Sequence, residues 1–496
     1  MDKRAYSKSL SWDFYSLSII AIYFLLQIMR WRILPQFIDI YYHLLTAWGF
    51  IRAGGYIGWD FWQYAPVGRI HIYPPLFHTI LAFLIKSGIS KIILAKFLET
   101  AMPVIFLIVL WRFVRKNYNA RLAFFVMLTA GSSFSYYLSL LDHLPATLAI
   151  IFGLLAFGQL FRNKILGALL LLTLCFYTHI GVSWLLAFSF ILFGLFDRQY
   201  RKPCLIIFSS ALILSSPILF KQLAGLRFIS LWGFNLTETK ICQVKIIDYL
   251  FAFSGLILSF KKEKKYRLFM SLLFASFIFI IYPYRFFSSE GYLPVIFLSA
   301  LFLDALFERL NNTHIKYIFV LTLVVILFLS PTVSMNIPQG KVKLNYKLKF
   351  FDSAFMGMLF AKGNSVWFPG QYLSCADAIK KNSQNNDIIY SSLNIAGVIL
   401  ASISERPTAN ALFAEIGPYK KFNPVSVSKI IIFLKDEDPS LIKNTVNNYN
   451  LIKIYENEAF ILYKNPSSLA GVGVKKAGLP FLAIIFIGLV FIFLMK

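Results

Sequence analysis

Apolar runs of about 17 to 25 residues, each long enough to carry a helix across a hydrocarbon layer, recur along most of this chain. Such a chain folds as a bundle of membrane helices, because only helices and closed barrels satisfy their own backbone hydrogen bonds in lipid. Composition agrees: 58% of the 496 residues are hydrophobic and 15% charged, against roughly 25% charged in an ordinary soluble domain. The formal charge of +26 would suit a nucleic-acid partner. However, the basic residues fall in short clusters between apolar runs, where cytoplasmic loops carry them. Nucleic acid is therefore not expected as a partner.

With the N-terminus inside, spans are expected at about 14–30, 92–111, 122–140, 144–161, 165–178, 180–196, 204–220, 246–260, 268–283, 292–308, 315–331 and 478–495, about twelve in all. The clusters "RFVRKNYNAR", "FRNK", "DRQYRK", "KKEKKYR" and "ERLNNTHIK" then all face the cytoplasm, as the positive-inside rule requires. The first run follows "MDKRAYSK" without a small-residue cleavage signature and reads as a retained span of a multi-pass plasma-membrane protein. Residues 31–91 form one long outer loop. Within it, "YPPLFHTILAFLIKSGIS" is apolar over only about a dozen residues and is expected to lie in the interface.

Residues 1–335 thus form the membrane region, and 336–475 differ in kind. Helical periodicity in "SCADAIKKN", "NIAGVILASI" and "PSLIKNTVNNY" alternates with strand-like "DIIYSS", "KIIIFLK" and a hairpin in "LIKIYENEAFILYK". This predicts a small α/β domain on the outer face, anchored again by residues 476–496. Four cysteines show no metal spacing. Cys242 and Cys375 would both lie outside, where a disulfide between them could form.

The outer ends of these spans collect an unusual set of side chains. Asp39, in "DIYYHLL", reads either as a helix cap or as a ligand. Asp142 and His143, in "SLSLLDHLPATLA", stand between two spans with almost no loop, and Asp142 could also cap the helix begun by Pro145. Glu238, in "GFNLTETK", lies in the outer loop 221–245. Carboxylates and an imidazole converging on one side form a hard donor set suited to Mg²⁺ or Mn²⁺. Arg285, in "YPYRFFSSEGYLP", needs an anionic partner near hydrocarbon, which is either Glu290 or a phosphate on a membrane-bound ligand. His43 and His179 face outward, whereas His71 and His78 read as structural. No Gly-rich phosphate loop or Ser/His/Asp arrangement occurs.

These residues resemble the motifs of GT-C class membrane glycosyltransferases, and among them the catalytic subunit of archaeal oligosaccharyltransferases. "DIYYHL", "YAPVGR" and "YPPLF" are similar to that family's first acidic motif and its tyrosine–proline stretches, "LDH" to its second acidic motif, "LTE" to its loop glutamate, and "YRFF" to its arginine–phenylalanine pair. The resemblance implies a GT-C-like polytopic helical fold of about 12 transmembrane helices with an outer α/β domain. It implies Asp39 and Glu238 as catalytic, and Asp39, Asp142, His143 and Glu238 as ligands of Mg²⁺ or Mn²⁺. Arg285 would bind the donor phosphate, and Tyr42, His43, Arg69 and His179 would surround the pocket. The implied function is sugar or oligosaccharide transfer from a polyprenyl phosphate or diphosphate donor at the outer face. The family's Trp-Trp-Asp acceptor motif is replaced by Ser391, Ser392, Leu393 and Asn394, so asparagine as acceptor does not carry over. A transporter or flippase of lipid-linked sugars, using the same charges without transfer chemistry, is the competing reading.

Overall fold

The structure, a computed structural model, describes residues 3–229, 242–336, 346–360, 369–413, 416–468, 471–474, 476–477 and 479–480. Glu238 and the apolar run 478–495 fall outside these, apart from the short strand Leu479–Pro480.

The chain is mostly helical, and its apolar runs have become helices at nearly the expected positions. These include Lys3–Met29, Lys91–Asn117, Leu144–Leu160, Ile165–Thr178, Ile180–Phe196, Arg201–Gly225, Ile246–Lys261 and Leu293–Arg309. Among the described residues, four helices are long and apolar enough to cross a membrane: Ser11–Arg32, Lys91–Asn117, Arg201–Phe228 and Glu290–Arg309. A fifth is reached if the pair Ala120–Gly131 and Phe134–Asp142, bent by 83°, counts as one broken span. Several other apolar helices, among them Leu144–Leu160, Ile165–Thr178 and Ile180–Phe196, have 10–17 residues.

Close packing between helices relies on small residues. A Cβ on Gly255 would lie 1.9 Å from the Leu298 carbonyl oxygen, so Ile246–Lys261 and Leu293–Arg309 approach backbone to backbone only because this position is glycine. Within the loop 31–91, the segment predicted to lie in the interface forms the helix Leu76–Lys86, with Phe77, His78, Leu81 and Ala82 buried and Phe83 exposed. The same loop also contains the almost wholly buried helix Asp39–Ala53. On this helix Gly49 admits the Trp62 indole, whose Cε3 would be 2.1 Å from a Cβ placed there.

The C-terminal elements expected to form an α/β unit do so. Ile389–Ser391, Ile430–Leu434, Phe460–Lys464 and Ile452–Glu456 make a four-stranded sheet in that spatial order. The first pair is parallel and the others antiparallel, including the predicted hairpin. The helices Pro369–Asn382, Asn394–Ser404 and Pro439–Tyr449 accompany it. Tyr346–Phe351 is elsewhere, parallel to Cys242–Lys245 and antiparallel to Val333–Asn336. Cys375 is a buried free thiol, and the side chain of Cys242 lies outside what is described.

One continuous apolar core runs from the helix bundle into the sheet unit. The unit is stitched to the loop by main-chain bonds, Thr408 donating to Trp62 (2.9 Å) and Ala65 to Thr408 (2.9 Å).

Candidate functional site

Asp39 is the first residue of the helix Asp39–Ala53, one position after the cap residue Ile38. A carboxylate in a first turn sits at the positive end of the helix dipole. Asp142 has the opposite setting. It is the last residue of Phe134–Asp142, where the helix end is partially negative and a carboxylate is disfavoured. His143 follows in a non-helical conformation and precedes Leu144–Leu160, without a side-chain cap.

One ligand atom from each of Asp39, Asp142 and His143 lies within 4.8 Å of the others, the aspartates partly buried and the histidine buried. Two carboxylates this close repel one another, more so with one at a negative helix end, and a cation between them relieves both. Oxygen and imidazole donors together fit a divalent ion of the Mg²⁺, Mn²⁺ or Zn²⁺ kind. These residues form a candidate metal site.

The bend that delivers Asp142 is held by charged pairs from distant segments. Lys245 and Lys349 face each other across the parallel strands. Each is buried and pairs with the aspartate three residues on, Lys245 with Asp248 at 3.1 Å and Lys349 with Asp352 at 2.8 Å. Lys245 donates to the Ser132 carbonyl and Lys349 to Ser135 Oγ (3.1 Å), while Asp352 accepts from the backbone N–H and hydroxyl of Ser135 (3.3 and 3.2 Å). The break between Gly131 and Phe134 is thereby fixed, and with it the direction of the helix that ends at Asp142.

The approach to Asp39 is held by Glu99, buried in Lys91–Asn117. Its carboxylate accepts from the backbone N–H groups of Gln36 (2.8 Å) and Phe37 (3.1 Å), two to three residues before Asp39. Arg30 adds a bond to Gln36 Oε1 (2.5 Å) and another to the Tyr137 hydroxyl (2.7 Å). Replacing Glu99 with Ala removes the acceptor of two part-buried amides, at about 1–3 kcal/mol each. The Glu99→Ala protein should accordingly unfold at a lower temperature than wild type in detergent. An unchanged midpoint would show that this clamp does not hold the turn.

Arg285, 22% exposed, donates to Glu290 Oε1 at 2.7 Å. The pairing with Glu290 allowed by the sequence is thus formed. The same carboxylate oxygen lies 3.2 Å from His143 Nδ1, and Ser289 Oγ lies 3.1 Å from that nitrogen. Glu290 was anticipated only as a partner of Arg285; its second contact, across 147 positions, leaves no local trace in the sequence.

The other expected pocket residues are Tyr42, His43, Arg69 and His179. Tyr42, His43 and His78 are buried in one aromatic group with the half-buried Tyr73, and Tyr73 also packs against His179, with ring centroids 6.1 Å apart. His43 Nδ1 and His78 Nε2 are 2.9 Å apart. Burial lowers both histidines, His78 to about 3, so neither is charged at neutral pH and one donates to the other. His179 itself caps Ile180–Phe196, its Nδ1 accepting from Val182 N at 3.1 Å. The buried guanidinium of Arg69 pairs with Asp60 at 3.1 Å and donates to the carbonyls of Phe413 (2.9 Å) and Ile416 (3.0 Å), tying two segments together.

No family model matches the sequence, and no curated protein matches it. Its likeness to solved structures is three-dimensional. The archaeal oligosaccharyltransferase AglB from Archaeoglobus fulgidus, in complex with an inhibitory peptide and a dolichol-phosphate, is similar with a TM-score of 0.54 at 12% identity, over 85% of this chain and 69% of that one. An Archaeoglobus fulgidus oligosaccharyltransferase in complex with Zn and sulfate gives 0.56 at 13% identity, over 90% and 73%. ArnT from Cupriavidus metallidurans in the apo state gives 0.57 at 12% identity, over 93% and 98%. All of these are GT-C glycosyltransferases, and what the chain shares with them is the fold.

Proposed function

We propose that this chain, which has the fold of the GT-C glycosyltransferases, transfers a sugar from a polyprenyl phosphate or diphosphate carrier in a metal-dependent reaction at the outer face of the plasma membrane. The observation that carries the reading is the meeting of Asp39, Asp142 and His143 at one point, their ligand atoms within 4.8 Å. Two segments about a hundred residues apart in sequence, one carrying Asp39 and the other the adjacent Asp142 and His143, supply this donor set. The solved relatives in fold add a direction for the ligand, since one is in complex with a dolichol-phosphate and another with Zn and sulfate.

Asp39, Asp142 and His143 would hold Mg²⁺ or Mn²⁺. Such an ion, when bound, neutralises negative charge developing on a phosphate leaving group. Arg285 would bind the carrier phosphate through its guanidinium fork, and its partial exposure leaves it reachable. Asp39 would also orient the acceptor or take its proton. Tyr42, His43, Tyr73 and His179 would wall the donor pocket. The acceptor is left unassigned. At the positions of the family's Trp-Trp-Asp motif, Ser392 Oγ is bonded to Glu437 (2.6 Å) and Asn394 to Asn410 (2.8 Å), so these side chains serve the sheet unit itself.

Purified protein incubated with a polyprenyl-linked sugar extract and Mn²⁺ should release the lipid phosphate, and EDTA should stop the release. A transporter would move intact donor across a vesicle membrane without releasing it. That outcome, with release absent, would reject the enzymatic reading.

A further inference from the structure

Glu290 touches both halves of the site. It is 2% exposed, and its Oε1 lies 2.7 Å from Arg285 and 3.2 Å from His143 Nδ1. The opposite ring nitrogen, His143 Nε2, faces Asp142, with Oδ2 3.7 Å away. The ring is thus strung between a buried carboxylate and the candidate ligand cluster. A histidine whose Nδ1–H is received by a carboxylate keeps the lone pair of Nε2 for a cation, with its ring angle fixed.

Resting on the metal reading above, we infer that Glu290 is a positioning residue. It accepts from His143 Nδ1 and so presents Nε2 to the cation, and it holds Arg285 beside that cation with the same oxygen. One buried carboxylate thereby sets the spacing between the cation and the phosphate-binding guanidinium. Its place is structural as well as electrostatic: Ser289 and Glu290 join Pro283–Ser288, which carries Arg285, to the helix Leu293–Arg309. Glu290 Oε2 and the Tyr136 hydroxyl have no hydrogen-bond partner among the described residues, and both residues line one small cavity with His143 and Ser289. The carboxylate is therefore not absorbed by other polar groups.

The test is Mn²⁺ titration calorimetry on the detergent-purified full chain, with no donor present, alongside thermal unfolding. Loss of an outer-shell carboxylate typically weakens a metal site about 10–100-fold. Glu290→Gln, of the same shape but unable to accept in the same way at both oxygens, should weaken Mn²⁺ binding by about that factor. Glu290→Asp should recover part of the loss. Wild-type Mn²⁺ affinity in Glu290→Gln would overturn the inference. If Glu290→Gln does not fold, Glu290→Asp decides: weakened Mn²⁺ binding supports the role and wild-type affinity overturns it. The underlying reading fails differently. A wild-type chain that binds no Mn²⁺, or a chain with Asp142→Asn that binds it undiminished, would remove the metal site and this inference with it.

Discussion

Asp39→Ala and Asp142→Ala should each lower sugar transfer by at least about 100-fold while leaving the fold in place, a loss of the size seen when one preorganised group facing developing charge is removed. The fold should survive because neither side chain is fully buried. Asp142 sits at a helix C-terminus, where removing a negative charge is mildly favourable. Its variant should therefore unfold at or slightly above the wild-type temperature while losing activity. This separation of stability from activity is the useful signature, because a structural aspartate would lose both together. Transfer at the wild-type rate by either variant would take that residue out of the chemistry. The activity should be measured as release of lipid phosphate across a range of Mn²⁺ concentrations, since a variant with one ligand fewer is partly restored by excess metal.

The largest effect on stability is expected at Asp60. Its carboxylate accepts from Arg69 Nε (3.1 Å), Gln63 Nε2 (3.2 Å) and the backbone N–H groups of Trp62 (3.2 Å) and Gln63 (2.9 Å). Arg69 passes the connection on to the carbonyls of Phe413 and Ile416, and Gln63 Oε1 accepts from Leu412 N at 2.9 Å. Both ions are essentially inaccessible, with side chains 4% and 1% exposed for Arg69 and Asp60. Asp60→Ala would leave a guanidinium buried without its counter-ion, a change that costs about 3–5 kcal/mol. Thermal unfolding in detergent should show a large drop, and limited proteolysis should cut first between the loop and the sheet unit. If the ion pair is the cause, joint replacement by Asp60→Leu and Arg69→Met should restore part of the loss, because two apolar groups leave no buried charge. A single variant within about 1 kcal/mol of wild type would mean that water reaches the pair.

Much of this architecture is legible in the sequence because membrane helices and short motifs are local signals. Runs such as 144–161 and 165–178 appear as Leu144–Leu160 and Ile165–Thr178, since a lipid-crossing run must satisfy its own backbone. The sheet unit was equally readable, its Ile-rich central strand and its hairpin falling where alternation and turn residues placed them. The run 122–140 was not readable as two helices. Its apolar character is unbroken, and the 83° bend is imposed by Lys245, Asp248, Lys349 and Asp352, more than a hundred residues away.

The candidate site divides along the same line. Asp39, Asp142 and His143 stood out because carboxylates and imidazole are rare at the ends of apolar runs. Glu290 was visible as a partner of Arg285 five residues away, but its contact with His143 depends on tertiary packing. Glu99 lies inside an apolar span and serves two backbone groups, so no motif marks it. The carbonyl partners of Arg69 lie more than three hundred positions away, so the tie it makes between two segments has no local trace in the sequence.

The central claim is that Asp39, Asp142 and His143 grip one divalent cation. Anomalous diffraction at the manganese edge, from crystals of the full chain grown with Mn²⁺, tests it directly. The account predicts one strong peak in contact with both carboxylates and with His143 Nε2, lost in crystals of Asp142→Ala. Well-ordered side chains at these three positions with no peak between them, or aspartates turned away from each other, would contradict it.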